Sequence, residues 1–174
     1  MIRVDVPDSA AMVGLGRRLG AQLRAGDLIV LTGPLGAGKT TLTRGIGDGV
    51  GVRGPIQSPT FVLARSHPSL VGGPPLVHAD AYRLGDAAEL DDLDIDIASS
   101  VVVVEWGAGF VDGAAESWLE VTIERPRGAR VFGGVEDPSG ATEESGGDEP
   151  RVVTLRGFGP RWMRSGYETG DDGS

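Results

Sequence analysis

The 174-residue chain has no cysteine. That excludes a disulfide scaffold and a thiolate metal site, and it suits a cytosolic protein. No apolar run is long enough to span a bilayer and no charged-then-apolar leader opens the chain, so a soluble cytoplasmic protein without membrane contact is expected. Positive charge is scarce as well. The formal net charge is −9, which argues against a nucleic-acid-binding surface, because neutralising phosphates is the main source of such affinity. Lysine is nearly missing, with Lys39 alone against fifteen arginines. A chain that uses arginine wherever a cation will do has kept an ammonium at one place, which points to a chemical need for a compact charge on a thin stem.

That lysine lies in Gly33-Pro34-Leu35-Gly36-Ala37-Gly38-Lys39-Thr40, followed by Thr41. The pattern G-x-x-x-x-G-K-[ST] is the phosphate-binding P-loop. Its backbone N–H groups cradle phosphates, its lysine reaches the β- and γ-phosphates, and its Ser/Thr hydroxyl ligates Mg²⁺. A chance match in a chain of this composition is on the order of three in a thousand, so the motif is a strong signal. The single lysine is committed here, which leaves none for the Asn/Thr-Lys-x-Asp motif of guanine-reading GTPases. ATP is therefore the expected nucleotide. A Leu-Ser-Gly-Gly-type transporter signature and an arginine-rich kinase lid are also missing.

The pattern along the chain predicts one α/β domain over residues 1–166 with a P-loop NTPase fold: a central mixed, largely parallel sheet flanked by helices. A strand is expected at 2–6, then a helix capped by Asp8-Ser9 with Met12, Leu15, Leu19 and Leu23 at helical spacing and Gly26 as its stop. Asp27 to Thr32 reads as the strand entering the P-loop, followed by a helix from Lys39 to Asp48 that Gly49, Gly51 and Gly54 break. Two β-like runs, 60–66 and 75–80, are close enough to form an antiparallel hairpin. A short helix is expected at 86–93. Val101 to Val104 is apolar without alternation, as in a strand buried on both faces. Further strands are expected at 118–124 and 151–156. The acidic, Gly- and Ser-rich stretch 126–150 between them reads as a disordered insertion, and 167–174 as a disordered tail.

Hydrolysis needs more than a phosphate cradle: a carboxylate at the metal and a group that places the attacking water. Glu105, directly after Val101–Val104, and Asp80, after Leu76-Val77, stand where strand ends supply such groups. Trp106 either belongs to the core or covers the nucleotide site. Ser58-Pro59-Thr60-Phe61 follows the P-loop helix, where a threonine can sense the γ-phosphate; by itself it reads as a turn entering a strand. Asp92-x-Asp94-x-Asp96 begins like a calcium loop, but Ile97 and Val103 stand where that loop needs Gly and Glu. The segment with Arg161, Trp162 and Arg164 is either a partner surface or a C-terminal helix packed on the sheet.

GPLGAGKTTLTRG, SPTFVL, HADAYRL and VVVVEWG, in this order and spacing, resemble the TsaE family of bacterial ATPases in tRNA threonylcarbamoyladenosine biosynthesis. The resemblance spans about residues 8–124 and the last strand. It implies ATP and Mg²⁺ as ligands, and TsaB and TsaD as partner subunits that transfer threonylcarbamoyl to adenosine 37 of tRNAs reading codons that begin with A. Hydrolysis would support turnover by those partners, with no direct tRNA contact by this acidic chain. It further implies that Lys39 is the phosphate lysine, Thr40 and Glu105 the metal ligands, Thr60 the switch threonine, Asp80 a residue of hydrolysis and Trp106 a tryptophan beside the nucleotide. Two positions depart from the family. Pro34 stands where Asp is frequent, leaving a carbonyl but no N–H, and Met12 stands where a threonine approaches the base. Two other readings remain open: a nucleotide-gated binding module in which ATP occupancy is the signal, and a small P-loop kinase.

Overall fold

A computed structural model describes residues 1–59, 63–81, 95–106, 115–125, 149–163 and 165–167. Its elements are β1 (Ile2–Val6), α1 (Ser9–Gly20), β2 (Leu28–Thr32), α2 (Lys39–Val50), β3 (Ala64–His67), β4 (Leu76–Asp80), β5 (Val101–Glu105), β6 (Trp118–Glu124) and β7 (Arg151–Phe158). The strands form one sheet in the order β1-β7-β6-β2-β5-β4-β3. The four central strands run parallel, with β2 between β5 and β6 and β4 outside β5. Antiparallel pairs close both sides: β3 on β4, and β7 on β6 with β1 outermost. This is the mixed sheet that the sequence pattern predicts, and its parallel centre brings the C-terminal ends of β2, β4, β5 and β6 to one edge, where open α/β sheets bind ligands.

The unalternated strands are explained by cover on both faces. Ile29, Leu31, Leu76, Val101 and Val103 join the core made with α1 and α2, which includes Met12, Leu15, Leu19, Leu42 and Ile46. Leu28, Val30, Val77, Ala79, Val102 and Val104 form a second core on the opposite face. Because strand side chains alternate between faces, His78 and Asp80 belong with Leu76 on the helix side of β4, and Glu105 belongs there with Val101 and Val103 on β5.

Helix α1 stops at Gly20 and not at Gly26. Tight bonds from Gln22 N–H to Leu19 O and from Leu23 N–H to Gly20 O end it, and the tightened turn still lays Leu23 against the core. Helix α2 runs two residues past Asp48, through Gly49, to Gly51 at its C-cap with φ 82°. The reason is tertiary. A Cβ at Gly16 or Gly20 of α1 would overlap the α2 backbone, and one at Gly45 or Gly49 would overlap that of α1. The close approach this permits outweighs the ~1 kcal/mol that each glycine costs a helix interior.

The first strand of the β3–β4 hairpin is described from Ala64, pairing Ala64 with Ala79 through His67 with Leu76. The antiparallel hairpin is as expected; the predicted strand positions 60–62 lie outside the described residues, as do the predicted helix at 86–93, positions 126–148 of the acidic insertion and the last seven residues. Near the C-terminus the structure has turns where a helix was one alternative, and Trp162 is 2% exposed within the core, edge-on to Tyr167. Its indole packs the sheet and is not a partner surface; Arg164 lies outside the described residues.

Candidate nucleotide-binding site

Strand β2 delivers the chain into the P-loop and α2 carries it away. Between them Gly36 and Gly38 adopt φ of 71° and 107°, the left-handed region that glycine enters without a Cβ penalty. Ala37 N–H bonds to Pro34 O at 3.0 Å and closes the turn. Gly38 is the N-cap of α2 and offers no side-chain cap to the first helical N–H groups. Those donors, at the positive end of a 12-residue helix, form an anion cradle.

Lys39 is 6% exposed. Its Nζ donates to Gly33 O at 2.9 Å and to Pro34 O at 3.2 Å, so the carbonyl that Pro34 retains is in use. Burial pushes the Lys39 ammonium below its ordinary pKa, while the Glu105 and Asp80 carboxylates oppose that shift. The Trp106 ring lies 4.0 Å, centroid to Nζ, from the same ammonium, a cation–π contact of about 0.5–2 kcal/mol. Among the described residues Trp106 is the one non-glycine with positive φ, 61°. Its N–H bonds to Leu31 O at 2.8 Å, so the backbone is tied to β2 at the point where it turns the indole toward Lys39.

Asp80 and Glu105 are register partners at the ends of β4 and β5, and both are buried. Glu105 Oε1 accepts from the Thr40 hydroxyl at 3.3 Å and lies 2.9 Å from His78 Nε2. A hydroxyl and a carboxylate oxygen 3.3 Å apart are hard oxygen donors of the kind that Mg²⁺ takes. Among the described residues no cluster of three His, Asp or Glu could hold a metal ion. A site of one hydroxyl and one carboxylate suits an ion that brings phosphate and water ligands with it, as Mg²⁺ does.

The structure thus gathers Lys39, Thr40, Asp80, Glu105 and Trp106 at one sheet edge. Met12 joins them from α1, its Cε 3.3 Å from where a Cβ of Gly38 would stand. Leu35, in the loop, is 89% exposed. Thr60 lies outside the described residues.

Three residues at this edge escaped the sequence reading. Arg125, just past β6, donates to Gly36 O at 3.0 Å. Arg151, the first residue of β7 and 5% exposed, donates to Ala37 O at 3.2 Å. His78 lies inside the quoted HADAYRL segment, yet only its aspartate drew a role. Arginine before Pro126 and after Pro150 could have been marked as flanking the acidic insertion, but nothing local ties them to a loop some 90 to 110 residues away.

A family profile described as "Threonylcarbamoyl adenosine biosynthesis protein TsaE" matches residues 6–131. The chain belongs to the TsaE family. A relative named tRNA threonylcarbamoyladenosine biosynthesis protein TsaE from Streptomyces coelicolor is 54% identical over 151 residues, covering 85% of this chain and 91% of its own. The protein of the same name from Bacillus subtilis is 31% identical over 142 residues, covering 80% and 75%. The crystal structure of YdiB from Bacillus subtilis superposes with a TM-score of 0.63 at 23% identity, covering 92% of this chain and 86% of that one. At that identity the likeness shows a shared fold.

Proposed function

We propose that this chain is a Mg²⁺-dependent ATPase that supports threonylcarbamoylation of adenosine 37 in tRNAs reading codons that begin with A, acting with the TsaB and TsaD subunits in the cytoplasm. The role in tRNA threonylcarbamoyladenosine biosynthesis is supported by the family to which the chain belongs. The observation that carries the nucleotide chemistry is the meeting of Lys39, Thr40 and Glu105 beneath the α2 N-terminus.

In this reading the backbone N–H groups of the loop and the first turn of α2 hold the phosphates, and Lys39 bridges the β- and γ-phosphates. Thr40 and Glu105 would hold Mg²⁺, which when bound would neutralise developing charge on the phosphoryl oxygens. Asp80 accepts a hydrogen bond from the attacking water and orients it in line with the γ-phosphorus. The water oxygen bonds to that phosphorus as its bond to the bridging oxygen breaks, releasing ADP and phosphate. Thr60 closes on the γ-phosphate. Trp106 screens Lys39 from solvent. Among the described residues the arginines nearest the loop, Arg125 and Arg151, direct their guanidinium groups to its carbonyls, which is consistent with slow turnover by the isolated chain.

The test is phosphate release from Mg·ATP by the purified chain, without any added acceptor. Release that Lys39→Ala abolishes supports hydrolysis and disfavours a kinase; equal release by Lys39→Ala sinks the reading. Reconstituted tRNA modification with TsaB and TsaD then separates hydrolysis from occupancy. Full support by a Glu105→Gln chain that binds ATP without cleaving it would show nucleotide gating instead.

A further inference from the structure

We infer that His78 is a positioning residue that sets the Glu105 carboxylate for the metal. The inference rests on the reading of Glu105 as a Mg²⁺ ligand and adds the group that aims it.

His78 is fully buried. It sits opposite Val103 in the β4–β5 register, two pairs before Asp80 and Glu105, so it is the diagonal neighbour of Glu105 on the same face, within reach of a long side chain. On that face its neighbours along β4 and β5 are Leu76, Val101 and Val103 on one side and Asp80 and Glu105 on the other. Packing alone would favour another aliphatic side chain there, because burying a polar ring is costly unless it is bonded. Nε2 has its bond, 2.9 Å from Glu105 Oε1. Nδ1 has no hydrogen-bond partner among the described residues.

The partner sets the direction of this bond. A carboxylate only accepts, so Nε2 is the donor to Glu105 Oε1. The buried imidazole is thereby aimed at a single atom. That atom, Oε1, is also the one Thr40 donates to. His78 thus fixes the torsion that keeps Glu105 beside Thr40, and without that bond the carboxylate is free to rotate away from it. Groups that orient a ligating side chain in this manner typically matter by about 10–100-fold in metal affinity or activity.

The experiment compares wild type, His78→Leu and His78→Gln. Leucine keeps the apolar volume and removes the donor, whereas glutamine returns an N–H near the Nε2 position. Calorimetric binding of ATP is measured with Mg²⁺ and with EDTA, alongside the KM and kcat of hydrolysis over a Mg²⁺ series. The expected result is a loss of about 10–100-fold in Mg²⁺-dependent binding for His78→Leu, unchanged ATP binding in EDTA, and substantial recovery in His78→Gln. Equal Mg²⁺ dependence in wild type and a folded His78→Leu would overturn the inference while leaving the ATPase reading intact. Equal loss in EDTA would reduce His78 to a packing role. Wild type with no Mg²⁺ dependence would remove the metal reading itself, and this inference with it.

Should His78→Leu not fold, nitrogen NMR of the wild-type imidazoles decides. The chain has two histidines, and His67→Gln assigns them. An Nε2–H tautomer whose resonance moves on adding Mg²⁺ to the ATP complex supports the inference. An Nδ1–H tautomer, or a resonance unmoved by Mg²⁺, overturns it.

Discussion

Arg161, on the turn after β7, grips Asp27 at the foot of β2 through bonds of 2.8 Å from Nε to Oδ1 and 3.0 Å from the terminal nitrogen to Oδ2. The Asp27 side chain is 2% exposed and also accepts from Arg24 N–H, so this fork-on-carboxylate pair joins the chain's C-terminal segment to the P-loop strand. The Arg161 side chain is 22% exposed while Asp27 is buried. Removing the arginine therefore strands the Asp27 charge at a cost between that of an exposed pair, about 1 kcal/mol, and that of a fully buried one, about 3–5 kcal/mol. Arg161→Ala is expected to lower the urea midpoint accordingly. The exposed Arg17–Asp48 pair, with side chains 62% and 52% accessible, is the control: Arg17→Ala should cost under about 1 kcal/mol. Equal losses from the two variants would contradict the assignment.

Gly45 of α2 rests on the Val13 carbonyl of α1 with no room for a Cβ. Gly45→Ala must push α1 and α2 apart along their length, and overpacking of this kind costs about 1–3 kcal/mol or more. At Gly14, also in α1, an added Cβ meets only the Arg18 side chain at 3.6 Å, so Gly14→Ala should gain up to about 1 kcal/mol of helix propensity. Thermal melts of both variants check the opposite signs. The displaced helix in Gly45→Ala begins at Lys39, so ATP affinity should fall with stability.

Arg151 supports the P-loop from beneath by its bond to Ala37 O. Hydrogen bonds from charged donors contribute about 1.5–3 kcal/mol, which corresponds to roughly 10-fold or more in affinity if the loop must be re-formed on binding. Arg151→Met is expected to raise KM for ATP by about that factor, with kcat changed less. Arg125 is 45% exposed, and Arg125→Ala should have the smaller effect. Steady-state kinetics on both chains would reveal a reversed order.

His67, on β3, places Nδ1 3.1 Å from Arg53 O. Its pKa lies below the usual 6.5, chiefly through burial, with His78 and Arg65 acting the same way and the Arg53 carbonyl opposing. The unfolded chain therefore binds this proton more readily than the folded one. Stability from the neutral ring is present above pH 6.5 and is lost as pH falls through 6.5 toward the lowered folded value. Over that window His67→Gln should show a shallower decline of denaturation midpoint than wild type. A steeper decline would contradict the sign.

The site divides by sequence distance. Gly33 to Thr40 are consecutive, so the strand–loop–helix and its lysine were legible as a pattern, and the apolar run Val101–Val104 pointed to Glu105 as a strand-end carboxylate. Asp80 was legible in the same way. Whether Trp106 packs or faces the nucleotide was not, because an indole serves either role and its left-handed φ leaves no compositional mark. For Trp162 the choice lay between a partner surface and packing on the sheet, and burial decided it.

By itself the sequence determined the P-loop motif with a lysine at its end, the order of the described strands and the first two helices, and the family motifs, since each depends on residues close together in the chain. Tertiary structure alone decided which distant groups meet: Arg151 under Ala37, 114 residues away, and His78 against Glu105, 27 away. It also decided that Gly49 continues a helix it would locally break, and that Arg161 faces inward. The physical reason is common to these cases. Strand register and helix approach set such contacts, and their free energy comes from burial and pairing between segments that no local pattern brings together.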